Sequence, residues 1–202
     1  IMNAMGDKIS SKQMAISANV PIIPGVDHAV KTVEEASKVA DMVGYPIMLK
    51  ASNGGGGRGM RIVNCAEDLP KEFKEARDES KKAFGGDKIF IEKYLRSPKH
   101  IEVQILADKT GEVICLGERN CSIQRKNQKL LEESPSPALS DEIRQRMLQT
   151  AVKAARAVKY ENAGTLEFLV TAQGDFYFME MNTRLQVEHT VTEMVTGIDL
   201  VK

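Results

Sequence analysis

The amino-acid sequence predicts an α+β fold with largely antiparallel sheets. Strand-like segments come in runs joined by tight-turn residues, and amphipathic helices separate the runs instead of following every strand. No internal repeat or low-complexity segment interrupts this order.

Asp7 can cap a first helix reaching about residue 19, with Ile9, Met14, Ile16 and Val20 as an apolar stripe; Pro21, Pro24 and Gly25 end it. Thr32-Val33-Glu34-Glu35 is a capping box that opens a second helix, with Ala36, Val39, Ala40 and Val43 inward and Gly44 and Pro46 closing it. A buried strand over 47–52, a glycine loop over 53–59 and a short strand near 61–63 follow. A charged helix over 66–84 stops at Gly85-Gly86. Alternation then predicts strands over 88–95, 100–107 and 112–116, with Lys109-Thr110-Gly111 turning between the last two. Ser134-Pro135-Ser136-Pro137 reads as a rigid connector to a helix capped by Ser140 or Asp141 and running to about 158. A second hairpin, 164–171 with 175–181, leads to a final helix from about 191. The expected organisation is a leading helix over 1–20, a small lid-like unit over 21–95 carrying the glycine loop, and a larger sheet unit over 96–202.

Composition narrows the function. The 202 residues carry 28 basic and 28 acidic side chains, so no global field draws the chain to nucleic acid or a membrane, and any anion site must be local. Few aromatics and no Trp count against a base-stacking platform. Cys65, Cys115 and Cys121 form no C-x-x-C pair, which reads as reduced thiols in a cytosol-like compartment. No apolar run approaches the ~18 residues that span a bilayer. Both ends read as cut, and the expectation is a piece of a larger protein.

Asn53-Gly54-Gly55-Gly56-Gly57-Arg58-Gly59 lets a backbone without Cβ atoms press N–H groups onto phosphate oxygens. Lys50, Arg58 and Arg61 surround it with positive charge. It is neither a Walker A loop nor a Rossmann fingerprint. A plain flexible linker is the alternative; the flanking cations favour a flap over an anionic ligand.

In the second hairpin, a turn over 172–175 pairs Thr171 with Phe176, Leu169 with Phe178 and Glu167 with Glu180. Two glutamates then face each other with Cβ atoms about 4.5–5.5 Å apart. Mg²⁺ shared with phosphates would neutralise them, and Asn182 adds an oxygen on the same face. Leu166, Phe168, Tyr177, Met179 and Met181 would form the core face. A solvated acidic face and a glycosidase carboxyl pair remain alternatives. Beyond Asn182, Arg184, Gln186 and Glu188 alternate, so an extended segment would present them on one side: two to hold a small oxyanion, one to move a proton. The run 118–129 is basic, which is either a solvated surface or a second cationic cluster.

These strings resemble biotin carboxylases of the ATP-grasp superfamily over essentially the whole chain. The matching residues are Met5-Gly6-Asp7-Lys8, Lys50-Ala51-Ser52 with the loop through Met60, and Glu92-Lys93-Tyr94-Leu95. The match continues with Pro98-Lys99-His100-Ile101-Glu102, the run 118–129 and the run 180–189; Ser122-Ile123-Gln124-Arg125 separates biotin carboxylases from carbamoyl-phosphate synthetases.

The resemblance implies two α+β units gripping ATP. Lys8 and Lys50 would contact phosphates under a flap of Gly54, Gly55, Gly56 and Gly57, with Met60 beside it. Glu92, Lys93, Tyr94 and Leu95 would hold adenine, while His100, Gln124 and Asn127 would lie by the nucleotide. Glu167, Glu180 and Asn182 would hold Mg²⁺ (or Mn²⁺). Lys129, Arg184, Gln186 and Val187 would cradle bicarbonate, with Glu188 its base and Lys129 and Arg184 catalytic beside it. Biotin on a carrier domain or subunit would be the carboxyl acceptor, and a carboxyltransferase a further partner. The intact enzyme would be cytoplasmic (mitochondrial matrix if eukaryotic), with fatty acid biosynthesis as one setting and a homodimer as one assembly. Asn127 stands where many members carry His, and Thr190 where Pro is common. The family's N-terminal domain and C-terminal remainder lie outside the chain, so biotin carboxylation by this piece alone is expected to be crippled.

Overall fold

The computed structural model describes residues 15–51, 59–126 and 128–202. The first fourteen residues, including Lys8, the flap glycines Gly54–Gly57 with Arg58, and Asn127 lie outside the described residues. The chain divides into two compact units, one over residues 23–96 and the other uniting the described residues up to 22 with 97–202.

The unit over 23–96 is a three-stranded antiparallel sheet in the order β2-β1-β3, with β1 Ile47–Ala51, β2 Met60–Val63 and β3 Ile89–Lys93. Helices α1 (Val33–Val43) and α2 (Leu69–Phe84) cover the face that carries Ile47, Leu49, Val63, Ile89 and Ile91. Thr32 Oγ1 accepts from Glu35 N at 3.2 Å, as the capping box requires, but the Glu35 carboxylate reaches back to Lys31 N (2.8 Å), one residue before the cap. Gly44 (φ 78°) and Gly85 (φ 70°) close the two helices in the left-handed half of φ space, where a Cβ is costly. A short 3₁₀ turn, Ala66–Asp68, precedes α2.

Arg61 corrects one expectation. Its register partner is Leu49, a core residue, so the guanidinium emerges on the helix-covered face and not beside Lys50. There it meets Glu72 (3.0 Å), Glu75 (2.7 Å) and Glu79 (3.0 Å) of α2. It anchors the strand to the helix.

Gly25 makes a close approach that no other residue allows. A Cβ there would lie 2.4 Å from the Ile91 carbonyl oxygen and 2.9 Å from the Glu92 Cα, both backbone atoms of β3. Gly25→Ala is expected to destabilise this unit by about 1–3 kcal/mol, measured as a lower urea midpoint with unchanged slope.

The other unit is a five-stranded antiparallel sheet in the order β6-β5-β4-β7-β8. Its strands are β4 Lys99–Ala107, β5 Val113–Arg125, β6 Gln128–Glu133, β7 Asn162–Val170 and β8 Phe176–Asn182. Helix α3 (Asp141–Ala157), capped by the Ser140 hydroxyl, packs Met147, Ala151 and Ala155 against Ile101, Leu166 and Phe168. Helix α4 (His189–Thr196) meets β5 on the opposite face through Thr192. No helix among the described residues is long and apolar enough to cross a membrane.

Bulges set what the sheet presents. Between β7 and β8 the register shifts after Glu167: Glu167 faces Glu180, but Phe168 faces Phe178, Leu169 faces Tyr177 and Val170 faces Phe176. Met179 is the extra residue. The glutamate pair therefore forms as the hairpin predicts, whereas the expected pairs Leu169–Phe178 and Thr171–Phe176 slip by one. Because a one-residue slip exchanges faces, Phe176, Phe178 and Met181 are buried in the core, while Tyr177 and Met179 are not. A second shift lies between Val103 and Ile105, opposite Gly117 (φ 90°) of β5.

Candidate active site

Strand register brings Arg119, Glu102, Glu167 and Glu180 into one row across β5, β4, β7 and β8. Side chains alternate along each strand, so this row lies opposite the core residues Ile101, Val103, Leu166 and Phe168. Three carboxylates and one guanidinium thus share a single face.

Lys129 of β6 reaches over the row. Its ammonium donates to Glu102 Oε2, to Glu167 Oε1 (3.0 Å) and to Glu188 Oε1 (2.6 Å), joining residues from β4, β7 and the start of α4. Burial alone would disfavour the charged amine, but attraction to Glu102 and Glu167 and the bonds to Glu102 and Glu188 outweigh it, and its pKa rises. Glu188 is held below the ordinary carboxylate range: burial opposes this, and the Lys129 hydrogen bond prevails.

Glu167 has the most partners. Asn182 Nδ2 (2.9 Å), Gln186 Nε2 (3.4 Å) and Lys129 converge on Oε1, and His100 Nε2 lies 2.7 Å from Oε2. Burial pushes its pKa up, but hydrogen bonding and attraction from His100 and Lys129 bring it down to about 2. Gln124 Nε2 sits 2.7 Å from His100 Nδ1 and donates to Cys121 O at 2.8 Å.

Arg119 closes the row. It is the bulkiest fully buried side chain among the described residues. Its Nε donates to Glu102 Oε1 (2.5 Å), and Nη1 to Gln104 Oε1 (2.9 Å) and Thr192 Oγ1 (2.7 Å). Glu132 lies on the other flank: burial first, then the charges of Glu188 and Glu102, push its pKa up to about 7. The ligand atoms of Glu102, Cys121 and Glu132 lie within 4.8 Å of one another, yet both Glu102 oxygens are already engaged by Arg119 and Lys129.

The segment after Asn182 is not a simple extended ribbon. Gln186 is buried and Glu188 half-buried, whereas Arg184 is exposed, donating to Leu185 O (3.3 Å), and Val187 is 88% exposed. Glu188 has helical backbone angles (φ −72°, ψ 0°) at the cap of α4, so the expected alternation stops at Gln186. The basic run 118–129 is mixed: Arg119 is fully buried and Lys129 is largely covered, while Arg125 and Lys126 are exposed.

Within the unit over 23–96, Lys50 is paired with Glu92 on the sheet face opposite Leu49. Lys93 donates to the carbonyls of Gly44 (2.8 Å) and Tyr45 (3.0 Å) at the end of α1, and the backbone N–H groups of Lys93 and Tyr94 go to Pro24 O and Pro46 O. Leu95 is half-buried and Met60 is 41% exposed.

Facing Glu167 and Glu180 carboxylates with the Asn182 amide beside them are the donor types a hard divalent cation such as Mg²⁺ takes, so the set fits that ion in kind; in this structure the Glu167 oxygens are engaged by Lys129, Asn182 Nδ2, Gln186 and His100. Gln186 Oε1 is buried with no hydrogen-bond partner among the described residues, while its Nε2 donates to Glu167 Oε1 (3.4 Å). Sequence reasoning missed Glu102, Gln104, Arg119, Glu132, Thr165 and Thr192. For Glu102 the signal was present, since it shares a strand face with His100.

Sheets of this order, with an acid- and lysine-bearing face, define the ATP-grasp class. The chain belongs to the family described as the carbamoyl-phosphate synthase L chain, ATP binding domain, whose profile matches residues 7–202. It is 56% identical over 196 residues to a biotin carboxylase of a Nostoc species, covering 97% of this chain and 44% of that protein. It superposes with TM-score 0.90 on the biotin carboxylase of Campylobacter jejuni in its β-γ-ATP complex, at 54% identity, covering 99% of this chain and 45% of that one. A TM-score of 0.88 at 53% identity relates it to the biotin carboxylase domain dimer of Hydrogenobacter thermophilus 2-oxoglutarate carboxylase, solved with MgADP, ADP and bicarbonate; 98% of this chain and 44% of that one are covered. The chain thus spans less than half the length of these relatives.

Proposed function

We propose that the chain is the ATP-binding core of a biotin carboxylase, coupling ATP cleavage to carboxylation of carrier-bound biotin by bicarbonate. The observation that carries this reading is the Lys129 ammonium gathering Glu102, Glu167 and Glu188 beside the orphan amide oxygen of Gln186. Lys129 sets a positive charge beside Glu188, and Glu188, held ionised and hydrogen-bonded to that ammonium, can take a proton.

In this reading Lys129, Gln186, Arg184 and the backbone near Val187 hold bicarbonate, and Glu188 removes its hydroxyl proton. A bicarbonate oxygen then forms a bond to the γ-phosphorus as the bond to ADP breaks, giving carboxyphosphate. Its decomposition releases CO2, which biotin N1′ captures as phosphate accepts the N1′ proton. Glu167, Glu180 and Asn182 hold Mg²⁺ (or Mn²⁺), which when bound disperses phosphate charge. Lys50 and the glycine loop serve the phosphates, the segment 92–95 serves adenine, and His100 and Gln124 serve the ribose. A carboxyl carrier and a carboxyltransferase are the implied partners, and a homodimer like that of the Hydrogenobacter domain is the implied assembly. Three unpaired cysteines fit a reducing, cytoplasm-like compartment.

Glu188→Gln tests the assignment. Bicarbonate-dependent ADP release is expected to fall about 10²-fold or more while ATP-analogue affinity is retained; unaltered turnover removes Glu188 as the base. Ammonia-dependent release that outpaces biotin-dependent release would instead favour a carbamoyl-phosphate synthetase reaction.

A further inference from the structure

Helix α4 is held to the sheet in an unusual way. Its one fully buried residue is Thr192, and the apolar Met194 and Val195 face outward, 87% and 54% exposed. Most surface helices dock by an apolar stripe; here the docking residue offers a hydroxyl to a buried guanidinium, Thr192 Oγ1 accepting from Arg119 Nη1 at 2.7 Å.

The attachment point lies four residues, one helical turn, beyond Glu188, so both project from the same side of α4. Glu188 is tied by its side chain to Lys129 (2.6 Å), Lys129 to Glu102 Oε2, and Glu102 Oε1 to Arg119 (2.5 Å). The contacts close a ring: Arg119, Thr192, Glu188, Lys129, Glu102 and back. Within it the Glu188 carboxylate is fixed twice, once through its own oxygen and once through the phase of the helix that begins at it.

We infer that Thr192 and Arg119 are positioning residues for Glu188, setting the rotation of α4 so that the Glu188 carboxylate meets Lys129. This rests on Glu188 as the proposed base, but the geometric claim stands apart from it. Rotating an α-helix by about 10° moves a side-chain tip, about 5–6 Å from the axis, by about 1 Å, and a misplacement of that size can cost about 10²-fold in rate.

The test uses Thr192→Val, which keeps the shape and removes the acceptor, and Thr192→Ser, which restores it, in the full chain. For Thr192→Val we expect kcat for bicarbonate-dependent ADP release to fall about 10-fold or more, with KM for ATP within about twofold of the parent. Thr192→Ser should recover most of the rate. Crystal structures supply the readout independent of turnover: the Glu188–Lys129 contact opens in Thr192→Val and is retained in Thr192→Ser. Three results would overturn the inference: a parental kcat in Thr192→Val, a parallel rise in KM for ATP that Ser does not relieve, or an intact Glu188–Lys129 contact in Thr192→Val. If the parent chain shows no bicarbonate-dependent release, the crystal structures alone decide the positioning.

Discussion

Lys129→Met is expected to abolish bicarbonate-dependent ADP release, by at least about 10³-fold, and to destabilise the fold by about 3–5 kcal/mol. The reason is electrostatic crowding. Without the ammonium, Glu102, Glu167 and Glu188 are left converging on one point with only Arg119 and His100 beside them, and two of the three are almost wholly buried. Removing one partner of a buried ionic cluster leaves the remaining charges unpaired, which costs far more than the pair itself contributes.

The pH dependence of that loss has a defined sign. Glu167 has its folded-state pKa near 2, below the ordinary 4.5, so its contribution is present above about pH 4.5 and disappears as pH falls toward 2. Part of the depression comes from Lys129. Parent and variant should therefore differ most in urea midpoint at neutral pH and converge on acidification. A constant difference from pH 7 to pH 3 would mean that lost packing of the lysine stem, not charge, explains the destabilisation.

How much of this was legible in the sequence depends on the range of the interaction. The Thr32 cap, the Gly44 and Gly85 stops and the Glu167–Glu180 pairing are local, fixed by residues a few positions apart or by one hairpin turn. The Met179 bulge was not legible. It inserts a residue inside a strand whose alternation reads equally well either way, and it decides which aromatics enter the core. Arg119 illustrates the larger gap. In sequence it belongs to a basic run, and only the β4–β5 register, set across a second bulge, turns it inward onto Glu102. Arg61 fails for the same reason: proximity to the glycine loop was visible, but the face it points from was settled by pairing with Leu49.

The second large effect concerns that buried guanidinium. Arg119→Met should cost about 3–5 kcal/mol, because the apolar side chain fills much of the volume while leaving Glu102, 0% exposed, and the oxygens of Gln104 and Thr192 without their donor. Glu102→Gln alone should cost about 2–3 kcal/mol, since Lys129 keeps Glu167 and Glu188 and Arg119 keeps its neutral acceptors. The double variant decides whether the two act as one unit. Once the guanidinium is gone, neutralising Glu102 removes the uncompensated charge, so the combined loss should fall short of the sum by about 2 kcal/mol. Losses that add to within about 0.5 kcal/mol would mean that Arg119 is retained for its bulk and its hydroxyl contacts, and that the row across β5, β4, β7 and β8 is not one electrostatic unit.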